Sequence, residues 1–225
     1  MRMRRKRNLE ARTAACSAVL AGRLENYRSR ADNITGVIDF TRIFGNSNPV
    51  RLEIGCGKGR FIRETAALNP GVNFIALEKS ENVLITALEN SVKEKPPNLR
   101  FILGRAEYIG EILESNAIER IYLNFSCPFP KNTDAKLRLT HSRFLGIYRK
   151  ILVDDGVVEL KTDDLPFFNF SVKSLTENGF APFLNGEPYK NGVTGKILTE
   201  YEEKFLGFSK PIYYLTAKKT TRSPV

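Results

Sequence analysis

The sequence predicts an α/β fold, a mostly parallel sheet of seven strands with helices on both faces. Short apolar runs alternate with longer stretches of helical periodicity along most of the chain, the pattern expected when helices cover both sides of a parallel sheet. A glycine-rich segment follows the first clear apolar run and opens a helical one, as at the βα turns where such sheets take ligands. A length of 225 residues fills one well-buried domain with a small appendage rather than two domains.

Residues 10–30 are Ala-rich with apolar residues at helical spacing, which predicts a helix. Residues 33–48 mix turn formers with Ile34, Val37, Ile38, Phe40 and Phe44, a packed connector. Residues 50–54, 73–77, 99–103, 120–124 and 156–161 are rich in Val, Ile, Leu or Phe and read as strands. Helices are expected between them at 59–68, 80–93, 107–113 and 134–150. A helix at 165–178 and late strands at 180–184 and 212–217 complete the set. Residues 185–196, with Gly186, Pro188, Gly192 and Gly195, read as a loop. The expected division is a basic arm and helix at 1–30 ahead of a single domain at 31–225.

No apolar run approaches the ~18 residues of a membrane helix. The start, Met1-Arg2-Met3-Arg4-Arg5-Lys6-Arg7, is interrupted by Glu10 and Arg12 and lacks the apolar core of a signal peptide. We read it as the N-terminus of a cytoplasmic protein with no membrane partner. Cys16, Cys56 and Cys127 are odd in number and widely spaced, which implies reduced thiols and no zinc site. A formal net charge of +10 makes a polyanion the natural partner; a merely solvated basic face is the alternative. The basic start reads either as an arm that orders on RNA or as a solubilising tail.

The strongest local signal is Glu53-Ile54-Gly55-Cys56-Gly57-Lys58-Gly59, directly after an expected strand. Glycines permit a tight turn and close approach of a ligand to the backbone, and the helix start favours negative groups. A dinucleotide fingerprint needs glycine where Arg60 stands, and a phosphate-binding Walker loop needs Ser or Thr where Gly59 stands. An ordinary Gly-rich turn stays open as the bland reading. Glu78, about 20 residues on, closes the second strand, where an acid accepts bonds from ribose hydroxyls. Glu53 suits the ammonium of an amino acid. A ribose at one end and an α-amino group at the other describe S-adenosylmethionine. In an open α/β sheet Gly55, Glu78, the Gly104-Arg105-Ala106 turn, residues 124–131 and Thr162-Asp163 should converge in one cleft along the carboxyl edge.

After the fourth expected strand, Asn124-Phe125-Ser126-Cys127-Pro128-Phe129-Pro130-Lys131 is stiffened by prolines into a loop. Asn124 and Ser126 offer hydrogen-bonding groups, Phe129 a stacking face and Lys131 a charge, a mixture suited to a nucleobase. A rigid proline turn without function is the alternative.

At this point the chain resembles the bacterial tRNA (guanine-N7)-methyltransferases. Leu52 to Phe61 is similar to their L-E-I-G-x-G-K-G-x-F, and Tyr122 to Lys131 to their Y-L-N-F-S-D-P-W-P-K. Arg138-Leu139-Thr140, Phe144-Leu145, Lys161-Thr162-Asp163 and Thr199-Glu200-Tyr201-Glu202 up to Phe205 follow in the family's order. The resemblance implies a Rossmann-like class I methyltransferase that uses S-adenosylmethionine to methylate N7 of a guanine in the tRNA variable loop, the m7G46 modification. It assigns Glu53, Gly55, Gly57, Gly59, Glu78, Arg105, Ala106 and Cys127 to the cofactor. It assigns Lys131, Asp163, Thr199, Glu200, Tyr201 and Glu202 to the tRNA substrate, and a monomer or homodimer is expected.

Several positions depart from the family's pattern. Arg105 precedes Ala106 where an Asp or Asn is usual, so a side-chain contact to adenine is lost. Cys127 stands at the position of the family's Asp, Phe129 replaces Trp, and Asn132-Thr133-Asp134 replaces a basic run. Guanine N7 carries a lone pair and no proton, so alignment rather than a general base dominates the chemistry. Cys127 is therefore read as an inert thiol at the family's catalytic position, and Asp163 or Glu202 as a candidate to supply the missing negative charge. His141 reads as a surface or RNA-facing residue. The competing readings are a methyltransferase of another substrate class and a tRNA-binding homologue with impaired catalysis.

Overall fold

Alternate residues along a strand face opposite ways, and in this chain both directions are apolar. In the computed structural model of the chain, which describes residues 4–24, 33–184 and 211–221, β3 (Asn73–Glu78) turns Ile75 and Leu77 to one face and Phe74 and Ala76 to the other, all four buried. In β4 (Leu99–Leu103) Ile102 opposes Phe101 and Leu103 in the same way. A strand buried on both sides must lie in the middle of three layers.

The elements run α1 (Leu9–Ala14), β1 (Leu20–Arg23), α2 (Phe40–Phe44), β2 (Val50–Ile54), α3 (Arg60–Leu68), β3, α4 (Glu81–Glu94) and β4. They continue with a 3-10 turn (Ala106–Tyr108), α5 (Ile109–Ile112), β5 (Ile118–Asn124), a second 3-10 turn (Asn132–Leu137) and α6 (Ser142–Ile151). The last are β6 (Leu152–Thr162), α7 (Leu165–Glu177), β7 (Phe180–Leu184) and β8 (Tyr213–Lys219). The sheet order is β1-β4-β3-β2-β5-β6-β8-β7, parallel except where β8 pairs antiparallel to β6 and β7. α1, α3 and α4 cover one face through Phe61, Ile62, Leu84, Ile85 and Leu88, and α5, α6 and α7 the other through Ile109, Phe144, Tyr148, Phe167 and Leu175. Among the described residues no helix is long and apolar enough to cross a membrane, and no cluster of potential metal ligands occurs.

The seven expected strands are all present, and an eighth lies where residues 10–30 had predicted a helix. Among the described residues of that stretch only Leu9–Ala14 is helical; Leu20–Arg23 is β1, parallel to the outer edge of β4. The amide of Phe101 donates to Val19 O at 2.8 Å and that of Leu24 to Leu103 O at 3.0 Å. An open edge in β4 would leave these backbone groups unpaired, and satisfying them outweighs the helical preference of an Ala-rich segment, which is weak. The segment is fixed on α4 as well. Arg12 makes a forked pair with Glu89 at 2.7 and 2.8 Å, and buried Arg23 meets Glu81 at 2.8 Å.

The helix expected at 134–150 is likewise divided. The second 3-10 turn ends at Leu137, Arg138 is extended, and His141 caps α6 by accepting from the Arg143 amide through Nδ1 at 3.3 Å. His141 is thus a helix cap in a half-buried position. The segment expected as a helix at 107–113 is the first 3-10 turn followed by a single turn of α5. The expected loop at 185–196 lies outside the described residues.

Gly59 caps α3 with φ +78, and a Cβ placed there would sit 2.7 Å from Ala87 Cβ of α4. Gly59→Ala should therefore destabilise the fold by roughly 2 to 4 kcal/mol, combining overpacking with a left-handed backbone. Urea denaturation measures this, and a loss below about 0.5 kcal/mol would show that α3 and α4 can part at no cost.

Candidate active site

β2 ends on Glu53 and Ile54, and the chain turns through Gly55, Cys56 and Gly57 into α3. The amides of Gly55 and Cys56 donate to Leu77 O at 2.7 and 3.1 Å, fastening the turn to the end of β3. Gly55 and Gly57 have φ +84 and +60, with open space where a side chain would be. Together they present bare backbone to a cavity of about 200 Å³ lined by Glu53, residues 55–61, Asn124 and Phe125.

Glu53 is 2% exposed and shares its face of the sheet with Phe61 and Tyr122. Its Oε1 accepts from Asn124 Nδ2 at 2.9 Å, while Oε2 is buried without a partner. Burial pushes this carboxyl up to about 7, against the Asn124 hydrogen bond and the Lys161 charge, which hold it down. Lys161, itself buried, lies with Nζ 5.6 Å from the Phe61 ring centroid. Asn124 Oδ1 and Ser126 Oγ are also buried without partners. A buried polar atom left unsatisfied costs about 1–3 kcal/mol, so three of them at one strand edge mark a place where a polar ligand would be stabilising.

At the end of β3, Glu78 accepts from the Gly57 amide through Oε2 at 3.2 Å and from the Ser80 amide through Oε1 at 2.8 Å. Burial raises this carboxyl too, opposed by those bonds. Each oxygen keeps a lone pair for a further donor. Glu78 lines a second cavity, of about 380 Å³, with Gly55, Arg105, Ala106, Ser126, Cys127, Phe129 and Leu139 among its walls. Gly55 and Phe125 border both cavities, so the two form adjoining compartments at the carboxyl edge of the sheet.

Arg105 turns to Glu107, 2.9 Å away, and Glu107 is also 3.7 Å from Arg143 of α6. Burial would raise the Glu107 carboxyl, but the Arg105 hydrogen bond and the two guanidinium charges hold it below its ordinary value. Glu107 thus places an ionised acid on the wall of the larger cavity. Nothing in the sequence singled it out except its position two residues past the strand-end turn.

The loop after β5 carries local strain. Phe125 and Phe129 both have positive φ, +48 and +44, a conformation that costs a bulky residue of order 1–3 kcal/mol and persists only when its surroundings enforce it. Cys127 is an exposed free thiol on this loop; Cys16 and Cys56 are buried and free.

The fold therefore brings Glu53, Gly55, Gly57 and Gly59 to the smaller compartment, and Gly55, Glu78, Arg105, Ala106 and Cys127 to the larger. Gly59 serves the packing of α3 on α4 as much as the cavity. Exposed Lys131 and half-buried Asp163 stand at the ends of the β5 loop and of β6, and neither lines either compartment. Thr199, Glu200, Tyr201 and Glu202 lie outside the described residues. Lys161 and Asn124, which set the state of Glu53, were visible in the sequence as strand-end residues but not as partners of that acid.

The chain is similar to known proteins in sequence and, separately, to others in fold. A family model described as "Putative methyltransferase" matches residues 47–215. A tRNA (guanine-N(7)-)-methyltransferase of Bacillus cytotoxicus is 37% identical over 222 residues, 98% of each chain. One of Lachnoclostridium phytofermentans is 43% identical, over 78% of this chain and 83% of the relative. Among solved structures, a 30S ribosomal A1408 methyltransferase from an uncultured bacterium superposes with a TM-score of 0.56 at 17% identity, covering 81% of this chain and 95% of the other.

The raised carboxyl of Glu53 gives stability a pH dependence of defined sign. The folded value of about 7 lies above the ordinary 4.5, so this group's contribution is complete below about pH 4.5 and is lost as pH rises through about 7. Glu53→Gln removes that loss. Relative to wild type, the variant should gain up to about 3 kcal/mol between pH 5 and pH 8, read as a melting-temperature difference that grows with pH. A difference independent of pH would show that Glu53 is ionised throughout.

Proposed function

We propose that this chain, which belongs to the tRNA (guanine-N(7)-)-methyltransferase family, transfers a methyl group from S-adenosylmethionine to N7 of a guanine in tRNA. The observation that carries the reading is the pair of buried acids at adjacent strand ends, Glu53 with an unpartnered oxygen and Glu78 with lone pairs to spare. These residues fit the cofactor. Glu53 would hold the α-ammonium and the bare backbone at Gly55 and Gly57 the amino-acid moiety. Glu78 would hold the ribose hydroxyls, and the Arg105-Ala106 turn the adenine through its backbone. Arg105 pairs with Glu107.

When bound, the cofactor supplies an electrophilic methyl on a sulfonium. The protein's part is alignment and charge. An ammonium beside Glu53 restores the ionised state that burial opposes, so binding releases a proton at pH values below about 7. The strained β5 loop presents Ser126, Cys127 and Phe129 to the larger cavity, where the acceptor guanine would lie. N7 has no proton to lose, so Cys127 need not act as base or nucleophile. Methylation leaves the guanine positively charged. Asp163, just past the end of β6, and Glu107, on the cavity wall, are the carboxylates suited to stabilise it in place of the family's acid at the Cys127 position.

The finer assignments are part of the same proposal. The target is the variable-loop guanine (m7G46), contacted by Lys131, Asp163 and residues 199–202. The protein works in the cytoplasm as a monomer or homodimer, and the basic N-terminal segment at residues 1–30, which packs on the sheet through α1 and β1, takes part in binding tRNA.

Incubation of unmodified tRNA with the protein and labelled cofactor, followed by nucleoside analysis, should yield N7-methylguanosine, and cleavage at the modified base should map it to the variable loop. Label found only in protein or metabolite pools would overturn the substrate. Cofactor binding without any transfer would favour a binding homologue. Asp163→Ala should reduce transfer by about tenfold or more, and Cys127→Asp should raise it by up to about a hundredfold; an unchanged Asp163 variant removes that residue from the chemistry.

A further inference from the structure

Between the second 3-10 turn and α6 the side chains of Arg138-Leu139-Thr140 go to three different places. Thr140 is inaccessible. Its hydroxyl lies 2.8 Å from Ser171 Oγ of α7, and its carbonyl accepts from Ser174 Oγ, also of α7, at 2.6 Å. Leu139 lines the larger cavity. Arg138 reaches the β5 loop: Nε donates to Pro128 O at 3.0 Å and to Phe129 O at 3.3 Å, and Nη2 donates to Phe129 O at 3.0 Å. Its guanidinium also stacks 4.4 Å from the Phe170 ring centroid on α7.

Resting on the methyl-transfer reading above, we infer that Arg138 is a positioning residue for the acceptor. It carries the rigidity of α7 to the backbone at Pro128 and Phe129 and so fixes Ser126, Cys127 and Phe129 on the cavity wall. The loop needs such a restraint, because Phe129 is held at positive φ by surroundings rather than by preference. Arg138 lines neither compartment, so its influence passes through the loop. A planar fork that spans two carbonyls while its face rests on an aromatic ring is a task for guanidinium; an ammonium cannot keep both contacts.

The test compares wild type with Arg138→Ala, Arg138→Lys and Phe170→Leu. Both Arg138 variants should lose about 30- to 100-fold in kcat/KM for tRNA, since small displacements in an aligned site cost that much. Phe170→Leu should lose about tenfold. The calorimetric Kd for S-adenosylmethionine should change far less, by no more than about tenfold, because Glu53 and the Gly55 turn hold their end of the cofactor from β2 and β3, away from the loop that Arg138 restrains. Methylguanidinium should restore part of the activity of Arg138→Ala and none to Arg138→Lys.

Alkylation of Cys127, the one exposed thiol, reports loop order without requiring turnover. Its rate should change at least about threefold in Arg138→Ala and return with methylguanidinium. Activity of Arg138→Ala within threefold of wild type overturns the inference. So does a parallel loss of cofactor binding without rescue, which would mean general destabilisation. If Arg138→Ala does not fold, Arg138→Lys and Phe170→Leu decide by the same measures. A wild type that makes no methylguanosine fails the functional reading alone, and the thiol kinetics still judge the loop.

Discussion

Burying Glu53 at the end of β2 requires a donor within reach, and Asn124 supplies it only because β2 and β5 are parallel neighbours in the register that sets Glu53 opposite Tyr122. Around that bond the rest of the site takes its place. The Gly55 turn hangs on β3, Glu78 of β3 accepts from the turn, and Lys161 of β6 lies on the same face as Glu53. One buried carboxylate thus depends on β2, β3, β5 and β6 holding register, and a slip of a single residue would turn it to the opposite face.

Much of this was legible in the sequence, for a physical reason. Runs such as Phe74-Ile75-Ala76-Leu77 are buried on both faces and so are apolar throughout, and the glycine turn needs residues that few other structures need. β1 was not legible. Its Leu-Ala-Gly composition carries no strand preference, and the partner that makes it a strand is the edge of β4, about 80 residues on. The break ahead of α6 was hidden for the same reason: Thr140 is held by Ser171 and Ser174 of α7, and no local pattern encodes those bonds. Within the site, strand ends could be named from sequence. The pairing of Arg105 with Glu107, and the grip of Arg138 on the β5 loop, depend on side-chain directions that spacing does not give.

Two of the departures from the family's pattern, Arg105 and Cys127, have different consequences. Arg105 is absorbed structurally, since its charge is met by Glu107 and the turn beneath it stays buried at Ala106. Cys127 instead lies on the wall of the larger cavity, where the family's pattern has a carboxylate. Glu78 and Glu107 are the carboxylates on that wall, and the charge of Glu107 is shared with Arg105 and Arg143.

The ion pairs on α4 bear on how the protein meets a polyanion. Arg12 and Arg23 are committed to Glu89 and Glu81, and Arg51, Arg63 and Arg120 have carboxylate partners of their own. Cations already neutralised release no counterions from a nucleic acid backbone, so the salt sensitivity of complex formation follows the arrangement of the remaining charges and not the formal total. Part of the chain's basic character is thus internal, Arg12 and Arg23 fastening the N-terminal segment to α4 and the other three linking elements within the domain.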